Sequence, residues 1–169
     1  MSLGALSEKI LAEVSEILAR YPQQRAALLP ILNACQREYG YISPQVEEAV
    51  AELLGLPVIE IRETISFYSL LRRKPVGRYH LQFCTNISCS LLGAEESVLS
   101  ACRKLGIQEG ETTADNKFTI TTVECLGACD MSPSLQINDD YHANMTSDKV
   151  LELIEMLSRS PQNHKGTKE

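Results

Sequence analysis

The sequence predicts an α+β protein: a helical bundle over residues 1–75, followed by a small α/β domain over residues 76–158. Apolar residues recur at helical spacing in the first part, whereas short runs rich in β-branched and aromatic residues appear in the second. Between them, the basic stretch LRRKPVGR contains the proline and glycine that are typical of a linker. The polar residues 159–169 show no apolar periodicity and are predicted to form a flexible tail.

Four helices are predicted in the first part, and the first two have recognisable start or stop signals. Ser7 is placed to cap the first helix, and Pro22 is placed to end it. The second helix shows apolar residues at helical spacing over residues 28–39 and stops at Gly40. Because Pro30 lies inside this pattern, the helix is expected either to kink or to start late.

The third helix has the clearest signals, with Ser43 as N-cap, Pro44 in the first helical position and Gly55 after the last turn. A fourth, shorter helix is predicted between residues 58 and 71. None of the four could bury its apolar face alone, so they are expected to pack into a bundle.

The second part is predicted to follow the order β-α-β-β-β-α, a small α/β sandwich whose first connection is a crossover. One strand ends at Cys84, and a β-branched strand, FTITTVE, ends at Cys125. The Asp139-Asp140 turn separates the two short strands that follow, and Thr146 is placed to cap the last helix. The predicted elements are strand 79–83, helix 91–105, strand 118–124, strands 135–137 and 141–143, and a helix ending near residue 157.

The composition, 44% apolar and 22% charged, is that of a globular protein, and the net charge of −6 disfavours nucleic-acid binding. The longest apolar run is far shorter than the roughly 20 residues that span a bilayer. The N-terminus lacks the basic and apolar segments of a secretory signal, so a reducing cytoplasm is expected. In that compartment, close cysteine pairs more often bind metal or carry out redox chemistry than form structural disulfides.

Four of the six cysteines form two close pairs: Cys84 with Cys89 in CTNISC, and Cys125 with Cys129 in CLGAC. Each pair follows a predicted strand, so the pairs would meet at one edge of the sheet if those strands are neighbours. Four thiolates suit either zinc or an iron–sulfur cluster, and the C-x4-C and C-x3-C spacings leave both open. Neither pair has the C-x-x-C spacing of a thioredoxin-type redox disulfide.

The loops around these cysteines carry residues that favour negatively charged sulfur. Gly127 can adopt a left-handed conformation that directs backbone amides toward the sulfurs, and Asn86 and Ser88 are small polar residues near the first pair. Cys89 is expected just before the start of a helix, whose partial positive charge favours a thiolate. These features would support a zinc site as well as a cluster.

Three stretches carry a family resemblance: YGYISP, ISFYSLLRRKPVGRYHLQFCTNISC and TVECLGACDMSPSLQINDDY. Over nearly the whole chain they resemble the 24-kDa subunit family of NADH dehydrogenase, which is the E subunit of bacterial NADH:quinone oxidoreductase (complex I). The resemblance implies a thioredoxin-like ferredoxin domain after the helical bundle, holding one [2Fe-2S] cluster. It also implies the cluster ligands, which are Cys84, Cys89, Cys125 and Cys129.

The chain departs from the family at two places that are not ligands. Many relatives read ATFY where this chain has ISFY, and AP where it has Ser132-Pro133. These differences leave the subfamily open. Similar subunits serve soluble NAD-linked hydrogenases and formate dehydrogenases, and a zinc-stabilised interaction module is the alternative from another class of function.

The resemblance further implies a stable partner, the larger flavoprotein subunit that binds FMN and NADH, with further subunits of the same complex. The chain would lie in the bacterial cytoplasm or at the cytoplasmic side of the inner membrane, without inserting into it. It would have no catalytic residues and no substrate site of its own. Its function would be to exchange single electrons beside the flavin of an NADH dehydrogenase.

Other notable residues have simpler interpretations. Cys35 and Cys102 fall on apolar helix faces and are expected to be structural. Phe67 and Tyr68 are expected in the core of the bundle, with a partner contact as the alternative. A basic run in this acidic chain is expected to be a solvated linker, with docking to an acidic partner surface as the alternative. Its members are Arg72, Arg73, Lys74 and Arg78.

Overall fold

The structure is a computed structural model that describes residues 3–160 of the chain. The chain divides between Pro75 and Val76 into two compact units, and each unit has its own hydrophobic core. Among residues 3–160, no helix is long and apolar enough to cross a membrane. Residues 161–169, most of the predicted tail, lie outside the described residues.

Within its described part, the first unit contains four α-helices at the predicted places. Ser7 and Ser43 cap the first and third helices, because their hydroxyl oxygens accept the backbone N–H of Ile10 and Val46. Pro30 lies in the first turn of the second helix, where its missing N–H costs nothing. The helix therefore begins at Leu28, the first residue of the apolar pattern, and the expected late start does not occur. The helices are α1 (Glu8–Leu18), α2 (Leu28–Tyr39), α3 (Pro44–Leu54) and α4 (Val58–Phe67).

The end of α4 corrects two expectations. The helix stops at Phe67 and the backbone becomes extended at Tyr68, so it is shorter than the sequence suggested. Ile61 and Ile65, one turn apart, point into the core, whereas Phe67 is 81% exposed. The expectation that Phe67 and Tyr68 are core residues is therefore wrong. Their rings contact each other edge to face at the surface of the unit.

The first unit contains a buried carboxylate. Glu47, in the first turn of α3, has no exposed surface, and its oxygens accept hydrogen bonds from Arg62 at 2.8 Å and from Arg73 at 2.6 Å. Arg62 belongs to α4 and Arg73 to the segment that follows it. This ion pair gives the half-exposed Arg73 a structural role, so it is not a free docking charge.

The second unit is a four-stranded mixed sheet with the strand order β2-β1-β3-β4. β1 and β2 are parallel, which confirms the predicted crossover, whereas β3 pairs antiparallel with both β1 and β4. Two long helices contribute apolar residues to the core that covers one face of this sheet. The elements are β1 (Tyr79–Cys84), α5 (Ile87–Leu91), α6 (Ala94–Leu105), β2 (Phe118–Val123), β3 (Leu135–Ile137), β4 (Asp140–His142) and α7 (Ser147–Arg159).

The crossover contains two helices where the sequence predicted one. Gly93 adopts a left-handed conformation, with φ of 91°, and this separates the short α5 from α6. At the other end of the unit, α7 extends to Arg159, two residues beyond the predicted end near residue 157. With these adjustments, the α+β class and the order of strands and helices are confirmed.

Gly77 determines how closely the chain approaches β2 before β1 begins. A Cβ atom at this position would lie 2.9 Å from backbone atoms of Lys117 and Phe118. The Gly77 N–H also donates a hydrogen bond of 2.6 Å to the hydroxyl of Thr119. A side chain at this position would therefore force one of the two strands to move, and glycine avoids this.

Candidate metal centre

Both cysteine pairs emerge from the same edge of the sheet. β1 ends at Cys84 and its parallel neighbour β2 ends at Val123, and these two residues are opposite each other in the register. Cys125 follows two residues later. The expectation that the two strands are neighbours, so that their loops lie side by side, is confirmed.

The first loop buries its two cysteines. Cys84 and Cys89 pack with Ala94 and with Leu126 of the second loop in a small apolar cluster. Cys89 lies within α5, which begins at Ile87, so the expectation that it precedes a helix is wrong. The helix begins directly after Asn86, whose backbone is extended and whose side chain makes no capping hydrogen bond.

The second loop presents its cysteines at the surface, where both are exposed. Gly127 has φ of 68°, and its N–H donates a hydrogen bond of 3.3 Å to the sulfur of Cys125. The expected left-handed glycine that directs an amide toward sulfur is therefore present. The Tyr141 hydroxyl donates to the carbonyl oxygen of Leu126 at 3.3 Å and ties this loop to β4.

The two buried thiols differ in acidity. Burial raises the pKa of Cys84 above its usual value, although backbone amides of Asn86 and Leu126 act in the opposite direction. Burial also acts to raise the pKa of Cys89, but hydrogen bonds from neighbouring side chains and backbone outweigh it, and the pKa is lowered. Of these two thiols, which contact each other, Cys89 therefore more readily becomes a thiolate.

Two serine hydroxyls surround the sulfur of Cys89. The Oγ atoms of Ser132 and Ser134 each lie 3.4 Å from Cys89 Sγ, and both serines are buried. In the sequence, Ser132 is notable only as a departure from the family, and reasoning from the sequence missed Ser134. The sequence did contain a signal for the position of Ser134, because this residue directly precedes a predicted strand that could pair with the strand ending at Cys84.

The remaining cysteines lie away from this edge. Cys35 is fully buried in the core of the first unit, and burial raises its pKa to about 11. Cys102 is half-buried against the core of the second unit, and burial raises its pKa as well. Both positions fit the structural role predicted for them.

The four paired cysteines offer a donor set of thiols on two adjacent loops. Cys84 contacts Cys89, and Leu126, between Cys125 and Cys129, contacts the first pair. Over the described range 3–160, no group of three or more Cys, His, Asp and Glu side chains is spaced to surround a single metal ion. Two pairs of thiols suit the chemistry of a two-iron cluster, which takes two protein ligands at each iron.

Comparison with known proteins defines the class. The sequence profile of the thioredoxin-like [2Fe-2S] ferredoxins matches residues 14–158, and the chain belongs to this family. The cofactor class is therefore a [2Fe-2S] cluster, which decides between the two possibilities that cysteine spacing left open.

Within this family, the chain is similar to subunits of NADH dehydrogenases. The chain is 44% identical to the second E subunit of the NADH-quinone oxidoreductase of Rhizobium meliloti (strain 1021), over 85% of each chain. It is 38% identical to the mitochondrial NADH dehydrogenase [ubiquinone] flavoprotein 2 of Dictyostelium discoideum, over 96% of this chain and 70% of that one. These similarities confirm the resemblance seen in the motifs.

A solved structure shows the same fold. An NAD+-reducing [NiFe]-hydrogenase in the air-oxidized state aligns over 82% of this chain with a TM-score of 0.66 and 25% identity. The present chain spans 24% of the length of that hydrogenase chain.

Proposed function

We propose that this chain is the [2Fe-2S] electron-transfer subunit of an NADH:quinone oxidoreductase. The observation that carries the proposal is the 44% identity to the second E subunit of the Rhizobium meliloti oxidoreductase, which extends over 85% of both chains. A match of this extent includes the helical unit as well as the cysteine loops. It therefore supports a shared role in a complex, beyond the possession of the same cofactor.

The proposed ligands are the four paired cysteines: Cys84, Cys89, Cys125 and Cys129. When bound, a [2Fe-2S] cluster supplies a site that takes up and releases one electron at a time. The buried pair would keep water from one side of the site, and the exposed pair would leave the other side open to a partner. This asymmetry suits a site whose electrons arrive from outside the chain.

The chain's own groups would stabilise negative charge on these sulfurs. The Gly127 N–H already donates to Cys125 Sγ, and backbone amides of Asn86 and Leu126 act on Cys84. Hydrogen bonds to ligand sulfurs favour the more negative, reduced state of a bound cluster. The loops thus provide ligation and charge stabilisation, and a separate partner must supply the electrons.

That partner is proposed to be a flavoprotein subunit that binds FMN and NADH. A hydride from NADH brings two electrons to a flavin, and this chain would accept one of them and later return it or pass it on. The sequence contains no Gly-rich phosphate loop for binding either nucleotide itself. The chain would act within a larger complex at the cytoplasmic side of the membrane.

A second candidate has the same module serving a soluble NAD+-reducing hydrogenase. This second candidate is supported by the structural similarity to such an enzyme, which has a TM-score of 0.66. Copurification from the native source distinguishes the two. A complex that oxidises NADH with quinone supports the first, whereas a complex that reduces NAD+ with hydrogen supports the second.

The first test is an anaerobic iron and acid-labile sulfide assay with a visible spectrum of the purified chain. We expect about two irons and two sulfides per chain, with the visible absorption of an iron–sulfur protein. A chain reconstituted anaerobically that holds one zinc and no sulfide would contradict the proposal and leave only the fold standing.

The ligand assignment is tested by changing each paired cysteine to serine in turn. We expect each variant to lose the cluster or change its visible spectrum, because an oxygen ligand replaces a thiolate. Cys102→Ser is the matched control, since this half-buried cysteine lies away from the two loops, and it should keep the parent spectrum. If Cys125→Ser also kept the parent spectrum unchanged, the ligand set would be wrong.

The partner is tested by coexpression with the FMN-binding flavoprotein from the same organism. NADH should reduce the cluster in the complex, and it should leave the isolated chain oxidised because that chain has no flavin. Rapid reduction of the isolated, flavin-free chain by NADH would contradict the proposed division of roles.

A further inference from the structure

Ser132 and Ser134 meet the sulfur of Cys89 in a place that water scarcely reaches. Cys89 is 2% exposed and Ser134 is 3% exposed. Each hydroxyl oxygen lies 3.4 Å from Cys89 Sγ, within reach for a hydrogen bond that involves sulfur. In such a poorly hydrated site, a hydrogen bond to a charged sulfur acts more strongly than it would in water.

The two hydroxyls differ in whether another acceptor competes with the sulfur for their single proton. The Ser132 hydroxyl donates to the carbonyl oxygen of Cys129 at 2.9 Å, which occupies its single proton. In the described part of the chain, Cys89 Sγ is the only hydrogen-bond partner of Ser134 Oγ. A ligand thiolate has no proton and can only accept, so with Cys89 as a ligand the Ser134 hydroxyl must be the donor.

The backbone holds Ser134 in place beside the first cysteine. The N–H of Cys84 donates to the carbonyl oxygen of Ser134 at 3.2 Å. The next residue, Leu135, begins β3 and pairs with Phe83 of β1. The strand that ends in one proposed ligand therefore positions the hydroxyl that contacts another.

We propose that the Ser134 hydroxyl donates a hydrogen bond to the Cys89 sulfur and raises the reduction potential of the cluster. The proposal rests on the ligand set proposed above. Reduction adds one electron from the redox partner and makes the ligand sulfurs more negative, so the donor stabilises the reduced state more than the oxidised state. Ser134 keeps its proton throughout, and it acts through Cys89 as a positioning residue.

The test is a potentiometric titration of the full chain, followed by electron paramagnetic resonance of the reduced cluster. For Ser134→Ala we expect reduction to become less favourable by roughly tenfold, which is a fall of about 59 mV for a one-electron couple. Ser132→Ala should shift the potential less, because that hydroxyl is directed to a carbonyl oxygen. Ser134→Thr, which keeps a hydroxyl, should stay closer to the parent than the alanine variant.

Ser97→Ala is the matched control for a structural effect. Ser97 is also buried in the second unit, but its hydroxyl lies within hydrogen-bond distance of the carbonyl oxygens of Gly93 and Met145, at 3.2 and 3.1 Å, instead of a sulfur. This variant should lose stability while keeping the parent potential. If Ser134→Ala also kept the parent potential, Ser134 would have only a structural role and the inference would be overturned.

Two further outcomes keep the result unambiguous. If Ser134→Ala does not assemble the cluster, the nearly isosteric variants Ser134→Thr and Ser134→Val separate the hydroxyl from packing, and the valine variant should have the lower potential; equal potentials would overturn the inference. If Cys89→Ser shows the parent spectrum, the ligand set itself is wrong and both proposals fall. A changed spectrum in Cys89→Ser with an unchanged potential in Ser134→Ala removes only the inference about Ser134.

Discussion

At the scale of single residues, Glu47 shows how burial changes the meaning of a charge. In sequence it is one of several acidic residues near the start of a helix, where such residues are common. In the structure its side chain has no exposed surface and pairs with Arg62 and Arg73, whose own side chains are about half exposed. Its role is thus to connect α3 to α4 and to the segment that follows α4.

We predict that Glu47→Gln lowers the free energy of unfolding of the first unit by about 3 kcal/mol, near the low end for breaking a buried ion pair. A glutamine of the same size loses the charge and turns an amide donor toward two arginines. The cost stays near the low end because both arginines can be rehydrated. Urea unfolding followed by circular dichroism, with hydrogen exchange of α3 and α4, measures the change.

Glu48→Gln is the control for this prediction, since the neighbouring carboxylate is exposed. It should leave the urea midpoint within error of the parent. Equal midpoints for the two variants would mean that the buried ion pair contributes nothing to stability.

At the scale of secondary-structure elements, the site depends on two neighbouring parallel strands that end at the same edge of the sheet. Both cysteine loops leave the sheet where Cys84 is opposite Val123. The beginning of the same pair of strands requires Gly77, because backbone atoms of β2 lie where a side chain would be. A substitution that displaces one end of this strand pair should therefore also displace the other end, where the cysteine loops begin.

We predict that Gly77→Ala destabilises the second unit by about 1–3 kcal/mol, the usual cost of overpacking. The added Cβ would lie 2.9 Å from the backbone of Lys117 and Phe118, so one strand must move. Hydrogen exchange of the β1 and β2 amides should increase, and the thermal midpoint should fall. Gly4→Ala is the control, since nothing lies within 4 Å of its added Cβ; an equal effect of both substitutions would refute the steric explanation.

At the scale of the whole molecule, the two units have separate cores. The core of the first unit is formed by residues between Leu6 and Leu71, and that of the second by residues between Leu81 and Ile154. All four paired cysteines belong to the second unit. We therefore expect this unit to fold and to bind the proposed cluster without the first core.

We predict that residues 76–169, expressed alone, fold and bind about two irons and two sulfides per chain. The sheet and both of its long helices are contained in this segment. Iron and sulfide analysis with circular dichroism provides the measurement. An insoluble or unfolded fragment, from a preparation in which the full chain folds, would contradict the independence of the two units.

Sequence determined most of the element pattern, because its signals are local. Capping serines, helix-ending glycines and β-branched runs act on their neighbours in the chain, so they placed α1 to α4 and all four strands to within a few residues. The four-cysteine pattern and its flanking residues likewise indicated the family and the [2Fe-2S] cofactor. Where a local signal was overlooked, as at Gly93, one predicted helix became two.

Only the tertiary structure decided which side chains are buried and which groups meet across the fold. Phe67 is apolar but exposed, whereas Glu47 is charged but buried, because the direction in which each side chain points depends on the packing of whole helices. The contact between Ser134 and Cys89 joins residues 45 positions apart. It exists because β3 pairs beside β1, and pairing between distant segments leaves little trace in local sequence.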